Sequence, residues 1–77
     1  MTAEQILEAI RKSLRLPHLD ANMRMGGVQG WDSMRHVKLL LDLEKIFKVR
    51  IPTDQFGSLT SVSAIIAFLQ NGEKRAA

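Results

Sequence analysis

Apolar residues recur at helical spacing in the first part of the chain. Isoleucine and leucine return every three to four positions over residues 6–14, which predicts one buried face of a helix. Thr2 and Gln5 have the spacing of a capping box, in which each side chain bonds the other residue's backbone N–H. Because a residue before proline avoids helical geometry, Pro17 should end this helix near Leu16.

A second helix is predicted from Ser33 to Phe47, with Asp32 as its N-cap. At about 100° per residue, one group of side chains falls within a single arc and should face the core. That group comprises His36, Leu39, Leu40, Leu43, Ile46 and Phe47. A smaller apolar group, Met34, Val37 and Leu41, falls on the opposite side. One helix of a small three-helix domain rarely buries two faces, so the smaller group should be partly exposed and suited to binding a protein. The alternative is that a loop covers it.

A long connection, residues 17–31, separates these two helices and contains three glycines. We expect four apolar side chains to attach this loop to the core: Leu19, Met23, Met25 and Val28. A loop of this length in a compact domain is often functional.

Two more helical elements are predicted towards the C-terminus. Residues 53–57 suggest a short helical turn capped by Thr53 or Asp54, anchored by Phe56 and ended by Gly57. A last helix should begin near residue 60 or 61 and stop at residues 71–72, leaving 72–77 as a flexible tail. No stretch alternates like a strand. The predicted fold is a single all-α domain over residues 1–77, a bundle of three main helices plus one short helix.

Composition narrows the classes of function. A chain of 77 residues with 45 % apolar residues forms one small domain with little room for both a core and a substrate cleft. The absence of cysteine excludes disulfides and thiolate metal sites. There is no signal-peptide core and no apolar run of about 20 residues, so we expect a cytoplasmic protein without a membrane span.

The excess positive charge is concentrated in one segment. Net charge is +3, and residues 33–50, with five basic and two acidic residues, account for all of it. A basic docking surface for an acidic partner is one interpretation, and an ordinary solvated helix face is the other.

Ser33 raises a question of chemistry, since it stands at the start of the second helix. A catalytic serine would need a base and an oxyanion site, and the chain lacks the G-x-S-x-G turn and a preceding strand. With Asp32 as the cap, the Ser33 hydroxyl is available for modification, and a phosphate there would be favoured by the helix N-terminus and by Arg35 and Lys38. The alternative is that Ser33 only assists capping.

The motif W-D-S-M at residues 31–34 resembles the attachment site of the acyl carrier protein family. The similarity continues through the apolar second helix and the R-I-P segment to the start of the last helix, and it covers about residues 4–70. The resemblance implies a carrier protein and not an enzyme. Ser33 would carry 4′-phosphopantetheine, transferred from coenzyme A by a phosphopantetheinyl transferase, and Asp32 would belong to the same motif. The thiol of that arm would hold an acyl or aminoacyl group as a thioester.

The resemblance also implies a docking surface and a set of partners. The residues that match the family's recognition helix are Met34, Arg35, Val37, Lys38, Leu41, Glu44 and Lys45. Partners would be the transferase, a ligase or transferase that loads the cargo, and downstream synthases, with the carrier acting as a monomer.

The charge of this surface departs from the family pattern. Carriers of fatty-acid synthesis are usually acidic there, whereas Arg35, Lys38 and Lys45 are basic. A specialised pathway, for polyketides, nonribosomal peptides or activated amino acids, is therefore the expected setting. The alternatives are an unmodified protein-interaction module of the same fold and a small basic nucleic-acid-binding domain, although the long first loop is unlike a helix-turn-helix.

Overall fold

The computed structural model describes residues 2–75, with side chains through residue 71. Its elements are α1 (Ala3–Leu14), α2 (Ser33–Phe47), a 3-10 helix (Thr53–Gln55) and α3 (Val62–Arg75). Within the described residues, the β-type pairing is an isolated antiparallel bridge between Arg24 and Ser61. The predicted all-α arrangement of three main helices and one short helix is confirmed.

Both predicted N-terminal caps are present. In α1, the Gln5 N–H donates to Thr2 Oγ1 at 3.1 Å, and the Thr2 N–H donates to Gln5 Oε1 at 2.9 Å, which completes the capping box. In α2, the Arg35 N–H donates to Asp32 Oδ1 at 2.9 Å. These bonds fix where each helix begins, because they satisfy N–H groups that have no partner inside the helix.

The first two helices end at residues with left-handed backbone geometry. Arg15 follows α1 with φ of 56°, and Lys48 follows α2 with φ of 54°. The Leu16 N–H then reaches back to the carbonyl of Arg11 at 3.1 Å. This turn stops α1 at Leu14, earlier than the end expected from Pro17.

The predicted end of the last helix is wrong. α3 continues through Asn71 and Gly72 to Arg75. Glycine inside a helix costs only about 1 kcal/mol relative to alanine, and the following Glu, Lys and Arg are good helix formers. Of the expected tail, residues 76–77 lie outside the described residues. At its other end, α3 is capped by Ser61, whose Oγ accepts the Ala64 N–H at 3.1 Å.

The short element is a 3-10 helix whose predicted caps are also wrong. Pro52 precedes it, and neither Thr53 nor Asp54 provides a side-chain cap. Pro52 occupies the N-cap position with an extended backbone, and its carbonyl accepts the Gln55 N–H at 2.9 Å. Phe56 is partly buried against the core, as expected.

The core lies between the three helices and includes residues from the connecting loops. Its fully buried side chains are Ile6, Ile10, Trp31, Leu39, Leu40, Leu43, Val62, Ile65 and Leu69. Leu19 is also buried, and Met23, Met25 and Val28 pack against the core, so the long loop is attached as predicted. The loop therefore delivers Trp31 to the core directly before α2.

One residue of the predicted buried face of α2 is exposed. Ile46 is 56 % exposed, and Phe47 is only partly buried. Ile46 stands in the last turn, at the edge of the buried arc, and it lines an open groove between α1 and α2. A helical wheel shows the direction of a side chain around the helix axis but not its position along that axis. The wheel therefore wrongly placed Ile46, in the last turn, among the buried residues.

Candidate functional site

Ser33 is the first residue of α2, and its side chain is exposed. Asp32 performs the capping: its carboxylate accepts the Arg35 N–H, and its carbonyl accepts the His36 N–H at 2.8 Å. Among the described residues, no group hydrogen-bonds the Ser33 hydroxyl. The hydroxyl is thus presented to solvent beside the N-terminus of a helix of 15 residues.

The other serines, all within the described part of the chain, have partners for their hydroxyls. Ser13 donates to Asp42, Ser58 donates to the Gln55 carbonyl, and Ser61 and Ser63 lie within 3.4 Å of each other. Ser61 also caps α3. Ser33 therefore differs from the other four in having both exposure and no hydrogen-bond partner.

The outward side of α2 carries the smaller apolar group. Met34 is 83 % exposed, Val37 is 45 % exposed and Leu41 is 46 % exposed. The predicted exposure is confirmed, and the long loop does not bury these side chains. Exposed apolar side chains that stand together among charges are typical of a protein-binding surface.

Lys38, predicted for docking, is exposed but forms a salt bridge with Asp42 of the same helix. Its Nζ donates to Asp42 Oδ2 at 2.9 Å, and Ser13 Oγ of α1 donates to the same oxygen at 2.7 Å. The Lys38 and Ser13 hydrogen bonds lower the pKa of Asp42 from its ordinary value. This network joins α1 to α2.

The remaining charged residues of the predicted docking set divide into two kinds. Arg35 and Lys45 are exposed and, among the described residues, have no salt-bridge partner. Glu44 is partly buried, and its Oε2 accepts the Ile51 N–H at 2.8 Å. Glu44 thus ties the segment after α2 back to the helix.

The sequence did not indicate the polar contacts beneath Ser33. Trp31 Nε1 donates to His36 Nδ1 at 3.1 Å, and His36 Nε2 donates to the Phe56 carbonyl at 3.0 Å. His36 was placed on the buried arc correctly, but no pattern linked it to Trp31 or Phe56. The sequence feature that could have indicated these contacts is Trp31 itself, since a tryptophan in so small a domain is usually well buried.

A family model for the phosphopantetheine attachment site matches residues 4–69. The chain belongs to this family. It is a carrier protein with covalently attached 4′-phosphopantetheine, and domains of this kind carry a group without catalysing its reactions. Comparisons with curated proteins and with solved structures found no match.

The described residues of the carrier protein contain neither a metal-binding cluster nor a membrane-spanning helix. No cluster of three or more histidine, aspartate or glutamate side chains could hold a metal ion there. No helix in residues 2–75 is both long and apolar enough to cross a membrane.

The residues at the start of α2 fit a phosphodiester-linked arm. Such an arm needs an accessible hydroxyl, and its phosphate is stabilised by nearby N–H groups and positive charge. Ser33 would provide the hydroxyl, the first turn of α2 the helix N-terminus, and Arg35 an exposed cation.

Proposed function

We propose that Ser33 is the residue that carries the 4′-phosphopantetheine of this carrier protein. The observation that carries the proposal is the state of its hydroxyl, which is exposed and without a hydrogen-bond partner among the described residues. Asp32 supports this role because it caps α2 and relieves Ser33 of doing so. The first turn of α2 would stabilise the phosphodiester.

The arm supplies a thiol, which the chain itself lacks because it has no cysteine. An acyl or aminoacyl group on that thiol is a tethered substrate. Tethering raises its effective concentration at each partner enzyme. The carrier protein's own residues contribute the attachment point and the surface that partners recognise.

We assign that surface to the outward side of α2. Met34, Val37 and Leu41 form its apolar centre, and Arg35 and Lys45 contribute positive charge that has no salt-bridge partner among the described residues. Lys38 and Glu44 lie on the same helix, but their bonds to Asp42 and Ile51 favour a structural role over direct docking. The partners proposed are the phosphopantetheinyl transferase, a loading ligase or transferase, and synthase enzymes.

The basic character of α2 supports a specialised pathway over housekeeping fatty-acid synthesis. A partner built for an acidic carrier presents positive charge, which Arg35 and Lys45 would repel. The proposal is therefore a dedicated cytoplasmic carrier of a polyketide, nonribosomal peptide or amino-acid-activating system.

Intact mass spectrometry tests the attachment site. The protein is incubated with coenzyme A and a broad-specificity phosphopantetheinyl transferase, alongside Ser33→Ala and the matched control Ser63→Ala. The parent and Ser63→Ala should gain one phosphopantetheine unit, and Ser33→Ala should gain none. A mass gain in Ser33→Ala would contradict the assignment, and no gain in the parent with several transferases would favour an unmodified interaction module.

A further inference from the structure

Among the described residues, His36 is the polar residue that is buried in the core, with 4 % of its surface exposed. Trp31 donates to its Nδ1, and its Nε2 donates to the Phe56 carbonyl. Because an indole N–H only donates and a carbonyl only accepts, the ring carries its single proton on Nε2. Leucine or phenylalanine could fill this volume without burying ring nitrogens, so packing alone does not explain a histidine.

The hydrogen bond between Trp31 and His36 spans Ser33. Trp31 precedes the helix and His36 occupies its first turn, so residues 32–35 are held at both ends. The Trp31 backbone is fixed as well, since its carbonyl accepts the Gly26 N–H at 3.0 Å. The hydroxyl of Ser33 is exposed, yet the backbone beneath it is anchored in the core.

Through Phe56, His36 is bonded to a segment, residues 52–59, that has few other hydrogen bonds to the rest of the protein. The hydrogen bonds of residues 52–59 otherwise run within that segment, from Gln55, Phe56, Ser58 and Leu59 back to residues 52–55. Among the described residues, the His36 ring makes the hydrogen bond that joins this segment to another element. Without it, the segment would be held by apolar contacts of Phe56 and Leu59.

We propose that His36 is a positioning residue for the loading of Ser33, an inference that rests on the proposed function. In loading, the Ser33 oxygen bonds to the phosphorus next to the pantetheine arm of coenzyme A. The hydroxyl proton leaves, the phosphate–phosphate bond breaks, and adenosine 3′,5′-bisphosphate departs. The attacking oxygen must be aligned with the breaking bond, and His36 fixes the backbone that aims it.

Loading kinetics with coenzyme A and a broad-specificity transferase test the role of His36. His36→Leu should lower kcat about tenfold, since small misplacements of a reacting atom are costly, and it should leave KM nearly unchanged because the outward side of α2 is intact. His36→Gln should recover most of the lost kcat, because an amide can accept from Trp31 and donate to Phe56.

Two further variants separate positioning from stability. Trp31→Phe removes the indole donor and keeps an aromatic ring, so it should give an intermediate kcat even if His36→Leu does not fold. Ile6→Val, a buried change in α1, should lower stability while its kcat remains that of the parent. In His36→Leu, amide hydrogen exchange across residues 53–59 should accelerate, whereas Ile6→Val should leave it unchanged.

Failure of the positioning role can be distinguished from failure of the proposed function. A folded His36→Leu with the parent's kcat, or an equal loss of kcat in Ile6→Val, overturns the positioning role while Ser33 is still loaded. Unchanged kcat in Trp31→Phe together with no recovery in His36→Gln also overturns it. A parent protein that is never loaded overturns the proposed function and this inference with it.

Discussion

Two basic residues occupy backbone positions that favour glycine. Arg15 and Lys48 both have left-handed geometry directly after a helix. This geometry costs an L-residue roughly 1–2 kcal/mol, because its Cβ approaches the following carbonyl. A positive charge at a helix C-terminus is favourable and offsets part of this cost.

Lys48→Gly should therefore raise the free energy of unfolding by about 0.5–1 kcal/mol, because glycine adopts this geometry without the Cβ clash. Urea unfolding measures the change. Lys45→Gly is the matched control, since Lys45 lies inside α2 and its replacement should lower stability by about 1 kcal/mol. Destabilisation by both changes would contradict the role assigned to the left-handed position.

Asp42 gives a residue-scale prediction of pH dependence. Its pKa is lowered in the folded protein by the Lys38 and Ser13 hydrogen bonds. The stabilisation is thus present above the unfolded-state pKa of about 3.9 and is lost as pH falls through the lower folded-state value. The stability difference between the parent and Asp42→Asn should shrink as pH is lowered from about 6 to about 3.

Urea titrations at several pH values measure this difference. Ser13→Ala removes one of the two bonds and should retain part of the parent's pH dependence. Parallel pH profiles for the parent and Asp42→Asn would show that Asp42 does not contribute in this range.

At the scale of the element, α2 has two apolar faces with different roles. Leu39, Leu40 and Leu43 are fully buried, whereas Met34 is 83 % exposed and Leu41 is 46 % exposed. The buried face holds the helix to the core and determines stability. The outward face adds less to folding, because its side chains keep about half or more of their surface exposed in the folded chain.

Alanine replacements at Leu43 and Leu41, two positions apart, distinguish the buried face of α2 from its outward face. Leu43→Ala should lower the free energy of unfolding by about 2–5 kcal/mol through lost burial and the cavity left behind. Leu41→Ala should change it by about 0.5 kcal/mol or less. Chemical denaturation gives both values, and Leu41→Ala should instead raise KM for loading of Ser33. Equal destabilisation by the two changes would contradict this division.

At the scale of the whole molecule, the structure distinguishes the positive charges of α2 by whether they have a partner. The segment 33–50 carries the entire net charge of +3. Lys38 is paired with Asp42, whereas Arg35 and Lys45 are exposed and have no salt-bridge partner among the described residues. The sign of this surface should decide which partners are accepted.

Charge reversal tests the selection of partners. With a transferase whose carrier-binding surface is basic, the double variant Arg35→Glu, Lys45→Glu should lower KM for loading several-fold, and the gain should shrink at about 1 M salt because screening is nearly complete there. Lys12→Glu changes charge on α1 and is the control. A raised or unchanged KM in the double variant would contradict the electrostatic argument.

Features that depend on local order along the chain could be predicted from the amino-acid sequence. The capping box of α1, the Asp32 cap and both bounds of α2 were predicted, since a cap and its N–H partner lie within one helical turn. The exposed group of α2 also followed from periodicity. The attachment motif depended on four adjacent residues and on the family pattern around them.

Tertiary structure decided the features that depend on contacts between distant residues. The Trp31–His36–Phe56 hydrogen bonds join a loop, a helix and a segment twenty residues later. Likewise, Asp42 and Glu44 look like ordinary helix-surface charges until the fold brings the Ser13 hydroxyl to Asp42 and the Ile51 N–H to Glu44. Periodicity shows which side of a helix faces inward. The packing of other elements decides how far along the helix that side is covered, as Ile46 illustrates.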